Sequence, residues 1–482
     1  MDSSIFVTAA GQGFTKDAWI QARPPAPGQQ RQMCRHRARR TKTVRCVSGP
    51  HQLRLTPASK GLHPVQLSAF GTKFAGQSGI VELMDDLSSA LDDNPDMIFM
   101  GGGNPGRLPV VEETFRQRLE TILADPAQRH SLFGVYQSPQ GDRAFREQLA
   151  GFLNRQFDWG LCADNVSISN GSQSAFFVLY NMFAGVMPDG SHRSIHLPLA
   201  PEYIGYGDIG LSGDFFTATR PSIELLGDKL FKYHVDFSHL SQARNVGALC
   251  VSRPTNPTGN VLTDEEMAHL DTIAQAREIP LIVDGAYGLP FPNIVFTDAT
   301  PSWNANTILS LSLSKLGLPG ARTGILVARE DIIRAFTNAN TIVSLACGNL
   351  GPALASALFD SGEILSLSRD HVQPYYRERS AHAVSWFREA LGDLPYHIHK
   401  PEGAIFLWLW FEGLPITSQA LYERLKQRGV LVVPGHNFFV GLEDDWPHMQ
   451  QCIRVSYASD ADTVRRGIAI IGEEVSRAYR TD

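Results

Sequence analysis

The sequence predicts an α/β fold, with a large domain on a mainly parallel sheet and a smaller α+β domain at the C-terminal end. Three observations predict it. From about Ser68, short β-rich runs bounded by Gly, Pro or Asn alternate with segments of helical apolar period, the pattern of parallel strands joined by crossover helices. Beyond residue 366 the order changes to long helices with separate strands between them. The chain has 482 residues, 43% of them hydrophobic, which is too long for one compact core and too apolar for disorder.

Residues 1–66 stand apart. Ala22–Gln30 is rich in Pro, Gln and Gly, and Arg31–Arg45 is a basic run without apolar period, so a basic, disordered extension is expected there. Residues 67–120 are expected to join the small domain, with a helical apolar stripe over Val81–Leu91. Residues 121–365 are expected to form the large domain. Its strand candidates are Asn165–Ser169, Ser194–Pro198, Ala248–Ser252, Pro280–Asp284, Thr307–Leu313 and Gly324–Ala328. Helical patterns at Phe145–Phe152, Ala175–Phe183, Asp264–Arg277 and Asp331–Ala339 fill the gaps between them. Residues 366–482 supply the small domain: a helix near Val372–Leu391, a strand at Ala404–Phe411, a helix at Ser418–Lys426, strands at Val430–Val433 and Cys452–Tyr457, and a closing helix. No internal repeat is visible.

Composition excludes several classes of function. The longest apolar stretch, Ala404–Phe411, is far short of the ~20 residues of a membrane span. Asp2 and Lys16 break any pattern of a secretory signal. The net charge of -6 conceals an asymmetry: residues 1–66 carry eleven Lys/Arg against Asp2 and Asp17, leaving the remainder at -15. That is a poor surface for DNA or an anionic membrane, so neither partner is expected. The six cysteines show no C-x-x-C pairing and no histidine at metal spacing, which predicts reduced thiols in a cytoplasmic setting and no metal site.

Four loops of the large domain carry the chemistry. In Ser312-Leu-Ser-Lys315-Leu-Gly-Leu-Pro-Gly-Ala-Arg322 a lysine lies just past a buried strand. Burial there makes the neutral amine more accessible, and a neutral amine forms a Schiff base with an aldehyde. Asp284 ends the apolar strand Pro280–Asp284 and is followed by Gly285-Ala-Tyr287; a carboxylate there is costly unless it meets a cation. Ligands of open α/β sheets gather at the carboxyl ends of strands, so Asp284 and Lys315 should converge on one crevice. A third strand ends in Ser252-Arg-Pro-Thr-Asn256-Pro-Thr-Gly259-Asn260, whose prolines hold Asn256 in an extended turn. Asn170-Gly171-Ser172-Gln173-Ser174-Ala175 lies between a strand and a helix, where backbone N–H groups favour an anion and Gly171 permits close approach. It is neither a dinucleotide fingerprint nor a Walker loop. An amine, a carboxylate, an oriented amide and a phosphate nest together fit pyridoxal 5′-phosphate (PLP). Arg454 alternates with Ile453 and Val455 on a C-terminal strand, and its planar fork suits an α-carboxylate. The apolar stripe Phe406, Trp408, Trp410 is expected to be core, and His436 structural.

Asn256-Pro-Thr-Gly259, Asp284-Gly-Ala-Tyr287 and Ser312-Leu-Ser-Lys315 with Arg322 resemble the class I aminotransferases of PLP fold type I. Met100-Gly-Gly-Gly-Asn-Pro105, Pro198-Leu-Ala-Pro-Glu-Tyr-Ile-Gly-Tyr206, the run His399–Trp410 and Val433-Pro-Gly-His-Asn-Phe-Phe439 resemble a branch of that family acting on valine and pyruvate. The resemblance runs from about Phe70 to the C-terminus. It implies that Lys315 holds the cofactor and shuttles the proton, that Asp284 pairs with the pyridine nitrogen, and that Tyr287 and Asn256 bond the ring oxygen. Tyr203 stacks on the ring. Gly171, Ser172, Gln173, Ser312 and Arg322 hold the phosphate, and Tyr136 matches a tyrosine that reaches it from a neighbouring subunit. Gly103, Asn256 and Arg454 take the substrate carboxylate. The implied enzyme is a ping-pong, homodimeric aminotransferase. Two rivals are another amino-acid specificity and a PLP β-lyase. A third, a transcription regulator with an aminotransferase-like domain, needs a helix-turn-helix head for which residues 1–66 show no helical period.

Overall fold

In a computed structural model the protein is described over residues 65–76 and 79–480; the expectation of a basic extension falls outside them, apart from residues 65 and 66. The large sheet runs, in spatial order, Val166–Ser169, Gly324–Val327, Thr307–Ser312, Leu281–Asp284, Val246–Ser252, His192–Leu197 and Gly185–Val186, with Phe216–Ala218 also paired to His192–Leu197. The central strands are parallel and buried on both faces, which is why they read as continuous apolar runs rather than alternating ones. Register aligns their carboxyl ends: Ser252 lies opposite Asp284, and Asp284 opposite Ser310. Gly324–Val327 runs antiparallel, with Gly324 opposite both Ser312 and Ser169. One edge of the sheet therefore gathers the ends of four strands and the start of a fifth.

The second sheet runs Val433–Pro434, Cys452–Ser456, Phe406–Phe411, Tyr396–His399, Leu230–His234 and Ser222–Gly227. Its last two strands lie within residues 121–365, so residues 366–482 do not build this sheet alone. The sequence reading missed this hairpin because its turn is Asp228-Lys229, with φ of 54° and 61°; a two-residue turn with both φ positive usually announces itself by glycine or asparagine. The run Val430–Val433 is not one strand: Val430–Leu431 pairs with Ile98–Phe99, and Val433–Pro434 pairs with Cys452–Ser456. The strand expected from Ala404 begins at Phe406, because Ala404 sits at φ 60°.

The N-terminal helix Gly79–Asp93 is tied to the C-terminal region through Asp86, which accepts from the Tyr422 hydroxyl at 2.5 Å and from Lys426 Nζ. The strand Ile98–Phe99 then leads into the glycine run 101–103 at the mouth of the strand-end crevice.

Candidate active site

Lys315 lies in a single 3₁₀ turn, Ser314–Leu316, directly after the buried strand Thr307–Ser312. It is half-buried on the wall of a cavity of about 380 Å³ at the strand ends. Nζ donates to the Gly103 carbonyl and lies 5.3 Å from the centre of the Tyr287 ring. Burial pulls the amine down to about 8; the Arg454 and Arg322 charges push the same way, and only Asp284 opposes them.

Asp284 projects into the same cavity from the neighbouring strand. Its Oδ1 accepts from the Ala286 N–H at 3.0 Å and its Oδ2 from the Tyr206 hydroxyl at 2.8 Å. Burial raises this carboxyl above the usual range, and the Tyr206 bond, the Ala286 bond and the Lys315 charge offset that in part. Across the cavity Arg454 is buried, with Nη1 donating to Asn256 Oδ1 at 2.8 Å and Nη2 to the Gly101 carbonyl at 2.6 Å. Its guanidinium lies 4.2 Å from the centre of the Phe406 ring, and Nε is buried without a partner. Burial lowers Arg454 to about 10, which still leaves it charged at neutral pH.

The opposite end of the cavity is built for an anion. The helix Ser172–Phe183 opens there, and Gly171 caps it at φ 92°. A Cβ on Gly171 would meet the Arg322 guanidinium at 2.3 Å, so glycine is required both for the backbone angle and for the arginine's approach. Arg322 holds its own backbone at φ 47° to bring its side chain there. Ser172 Oγ and Gln173 Oε1 are buried with no partner.

The aminotransferase class I and II family profile matches residues 218–471. The valine–pyruvate aminotransferase of Escherichia coli (strain K12) is 49% identical over 412 residues, covering 86% of this chain and 98% of that one. The chain belongs to the class I and II aminotransferases. The crystal structure of valine–pyruvate aminotransferase from Salmonella typhimurium LT2 is similar at 46% identity and TM-score 0.78, covering 84% of this chain and all (100%) of that one. A crystal structure from Psychrobacter arcticum 273-4, of a protein assigned as an amino-acid aminotransferase, is similar at 46% identity and TM-score 0.85, covering 87% of this chain and 100% of that one.

Aminotransferases of this family are PLP-dependent, and the residues present fit that cofactor. The unpartnered Ser172 Oγ lies at a helix N-terminus beside Arg322, where a phosphate meets both hydrogen-bond donors and positive charge. A low-affinity-for-protons amine stands near a buried carboxylate at the other side of the cavity.

The aminotransferase cavity gathers most of the residues singled out from sequence. Ser172, Gln173, Ser312 and Arg322 line it together with Tyr203, Asp284, Tyr287 and Lys315. Asn256, Gly103 and Arg454 also line it, and Gly171 lies against Arg322. Tyr136 is not in this chain's cavity; it is 85% exposed. In this structure the carbonyl that meets Arg454 is that of Gly101, while the Gly103 carbonyl meets Lys315. Phe406 belongs to the core stripe, as expected, but its ring also supports Arg454. Sequence reasoning passed over Tyr206, and over Met84, Leu87, Phe99 and Val433, which form an apolar wall. Tyr206 had a signal, since it closes the same short motif as Tyr203. The wall had none, because its residues come from a helix and two two-residue strands far apart in the chain.

Proposed function

We propose that this aminotransferase exchanges the amino group between L-valine and pyruvate, giving 3-methyl-2-oxobutanoate and L-alanine in two half-reactions at one site. The single observation that carries the specificity is the use made of the cations. Arg322, Lys315 and Arg454 are the lysine and arginine residues among the cavity's described lining residues. The remaining wall is Met84, Leu87, Phe99 and Val433, so an aliphatic side chain has a favourable surface there and a second carboxylate has no cation among the described lining residues of this chain. The two valine–pyruvate aminotransferases similar at 49% and 46% identity support the same reading.

PLP supplies, when bound, the carbonyl that takes up the amino group and the ring that draws electron density from the substrate Cα. The protein's part is as follows. Gly171, Ser172, Gln173, Ser312 and Arg322 would hold the phosphate, Tyr203 would support the ring, and Tyr287 and Asn256 would bond its oxygen. Asp284 would offer negative charge to the ring nitrogen. Arg454 and Asn256, with the backbone near Gly103, would bind the substrate α-carboxylate; the unpartnered Nε of Arg454 and the second N–H of each Nη are the donors left for it. Lys315 anchors the cofactor at rest and, once released, takes the substrate Cα proton on Nζ. An amine lowered to about 8 is largely cationic at pH 7 yet retains a neutral fraction able to accept that proton.

We further infer a homodimer in the cytoplasm. Phe133 (72% exposed), Tyr136 and Ile342 (88%) expose large apolar surface. Hydrogen bonds link Gln140 to Ile168, Ile168 to Cys347 and Asn170 to Gly348, so the segments bearing Tyr136 and Ile342 flank the phosphate loop, where a second copy could bring Tyr136 to it. Among the described residues no helix is long and apolar enough to cross a membrane, and Cys162, Cys250, Cys347 and Cys452 are free thiols.

The test is a panel of single half-reactions. The PLP-loaded enzyme is mixed with each amino acid in turn and loss of the cofactor's resting absorbance is followed. Valine and alanine should react fastest; a preference for aspartate or tyrosine would overturn the specificity while leaving the family intact.

A further inference from the structure

Behind Asp284 runs a line of polar groups that no step above uses. The Tyr206 hydroxyl, which donates to Asp284 Oδ2 at 2.8 Å, belongs to a fully buried side chain. The Tyr180 ring packs edge-on against it, with centroids 5.3 Å apart. Tyr180 Oη lies 3.0 Å from Cys250 Sγ, and both residues are 0% exposed. Cys250 sits on the strand beside that of Asp284, paired with Ile282.

The inventory of protons gives the first bond a direction. An ionised carboxylate only accepts, so Tyr206 donates to Asp284. Tyr180 and Cys250 satisfy each other at 3.0 Å, which leaves the Tyr206 hydroxyl committed to the carboxylate in a water-free core. The elements explain why the line exists. Tyr206 closes the same 3₁₀ turn that follows Tyr203, and Tyr180 lies two turns along the helix that opens at Ser172.

We propose that Tyr206, held in place by the packed Tyr180 ring, is a positioning residue that aims the Asp284 carboxylate into the pocket and holds its charge there. The inference rests on the reading of Asp284 as the partner of the cofactor's ring nitrogen. Burial alone pushes Asp284 toward its neutral form, and the adjacent cation, Lys315, is itself drawn toward neutrality. The hydroxyl adds a fixed donor to the partial offset that the Lys315 charge gives.

The test is equilibrium dialysis of PLP from the holoenzyme between pH 5 and 9, for wild type, Tyr206→Phe, Tyr180→Phe, Cys250→Ala and Asp284→Asn. Tyr206→Phe should weaken PLP binding about tenfold, the worth of one hydrogen bond to a charged group. It should also raise the pH below which affinity falls, because losing a donor to the ionised carboxyl favours its protonation. Tyr180→Phe and Cys250→Ala leave the Tyr206 hydroxyl in place and should leave the profile close to wild type, and the KM for valine should stay within about twofold in all three because Arg454 is untouched. On the Asp284→Asn background Tyr206→Phe should add nothing. If Tyr206→Phe fails to fold, Tyr206→Leu, which also lacks the hydroxyl, carries the same test. A Tyr206→Phe profile that superimposes on wild type, with Asp284→Asn clearly weakened, overturns this inference alone. Asp284→Asn with unchanged affinity and profile overturns the reading of Asp284, and the inference with it.

Discussion

Lys232 and Lys315 are both withdrawn from bulk water, and the protein treats them in opposite ways. Lys232 Nζ pairs with Glu402 Oε2 and donates to Asn260 Oδ1 and the Val261 carbonyl, each at 3.0 Å. Glu402 also takes the Val261 N–H at 3.1 Å and Lys400 at 2.9 Å. Burial would raise the Glu402 carboxyl, but the lysines outweigh it and hold it below the usual range. Lys315, by contrast, meets a backbone carbonyl, and Asp284 meets neutral donors. Arg454 keeps an unpartnered Nε. One cluster is closed on itself and joins strands; the other holds its charges apart, at a cost in stability, where a ligand can meet them. Charges left unmatched in a folded chain are therefore a better guide to function here than charges as such.

The sharpest way to break this comparison is to delete a group from the open cluster. Lys315→Ala should abolish multiple turnover while PLP still binds through its phosphate contacts; steady-state turnover near wild type would remove Lys315 from its role. Asp284→Asn keeps the shape and removes the charge. It should slow a single amino transfer from valine by about a hundred- to thousand-fold, the usual range for losing an electrostatic contact at developing charge, while the apoenzyme melts close to wild type. A rate near wild type would reduce Asp284 to a cap for the Ala286 N–H.

The closed cluster should respond in the other currency. Glu402→Gln leaves Lys232 buried without its carboxylate and should destabilise the holoenzyme by roughly 3–5 kcal/mol, read as a shift of the denaturant midpoint. Adding Lys232→Met should recover much of that. If Glu402→Gln instead lowers kcat with the midpoint unmoved, the division between the two clusters fails.

How much of this was legible in the sequence follows the same division. Leu281–Asp284 and Thr307–Ser312 announce themselves as short apolar runs that end in a polar residue, and strand-end geometry then brings Asp284 and Lys315 together. Arg454 was legible from strand alternation. The hairpin at Ser222–His234 was not, since its turn lacks the expected residues. Nor was the break of Val430–Pro434 between two sheets, because both halves carry the same apolar composition. Tyr206 reads as one more core aromatic until its hydroxyl is seen at Asp284. Met84 and Leu87 read as an ordinary amphipathic stripe, and only the packing of Gly79–Asp93 turns them toward the cavity.

The strain in the open cluster also has a pH signature. The folded Lys315 amine stands at about 8, below its ordinary 10.5, so between those values the unfolded chain binds the proton that the folded apoenzyme releases. Stability should therefore rise with pH through that window, and the penalty should be fully present below about 8. Lys315→Met removes it. The apoenzyme variant should be more stable than wild type at pH 7 by on the order of 2–3 kcal/mol, with the gap closing as pH approaches 10.5. Thermal melts across pH read this directly; a constant gap would mean that packing, not charge, is responsible.

The smallest expected effect lies in the wall that has no charge at all. Phe99 sits between Met84, Leu87 and Val433 in the cavity lining, and its ring covers Gly102 so closely that a Cβ there would come within 2.5 Å of it. Phe99→Ala enlarges the aliphatic end without touching Lys315, Asp284 or Arg454. Leucine should gain from the added space, valine should lose contact, and alanine should change least because its side chain ends short of the wall. The leucine-to-valine ratio of kcat/KM should rise about tenfold, since size discrimination in an apolar pocket is worth only ~1–3 kcal/mol. Using the ratio cancels any general loss from a loosened loop. Gly102→Ala pushes the ring the other way, into the cavity, and should move the ratio in the opposite direction. If neither substitution moves it, selectivity does not reside in this wall, and the open cluster would have to choose its substrate by charge alone.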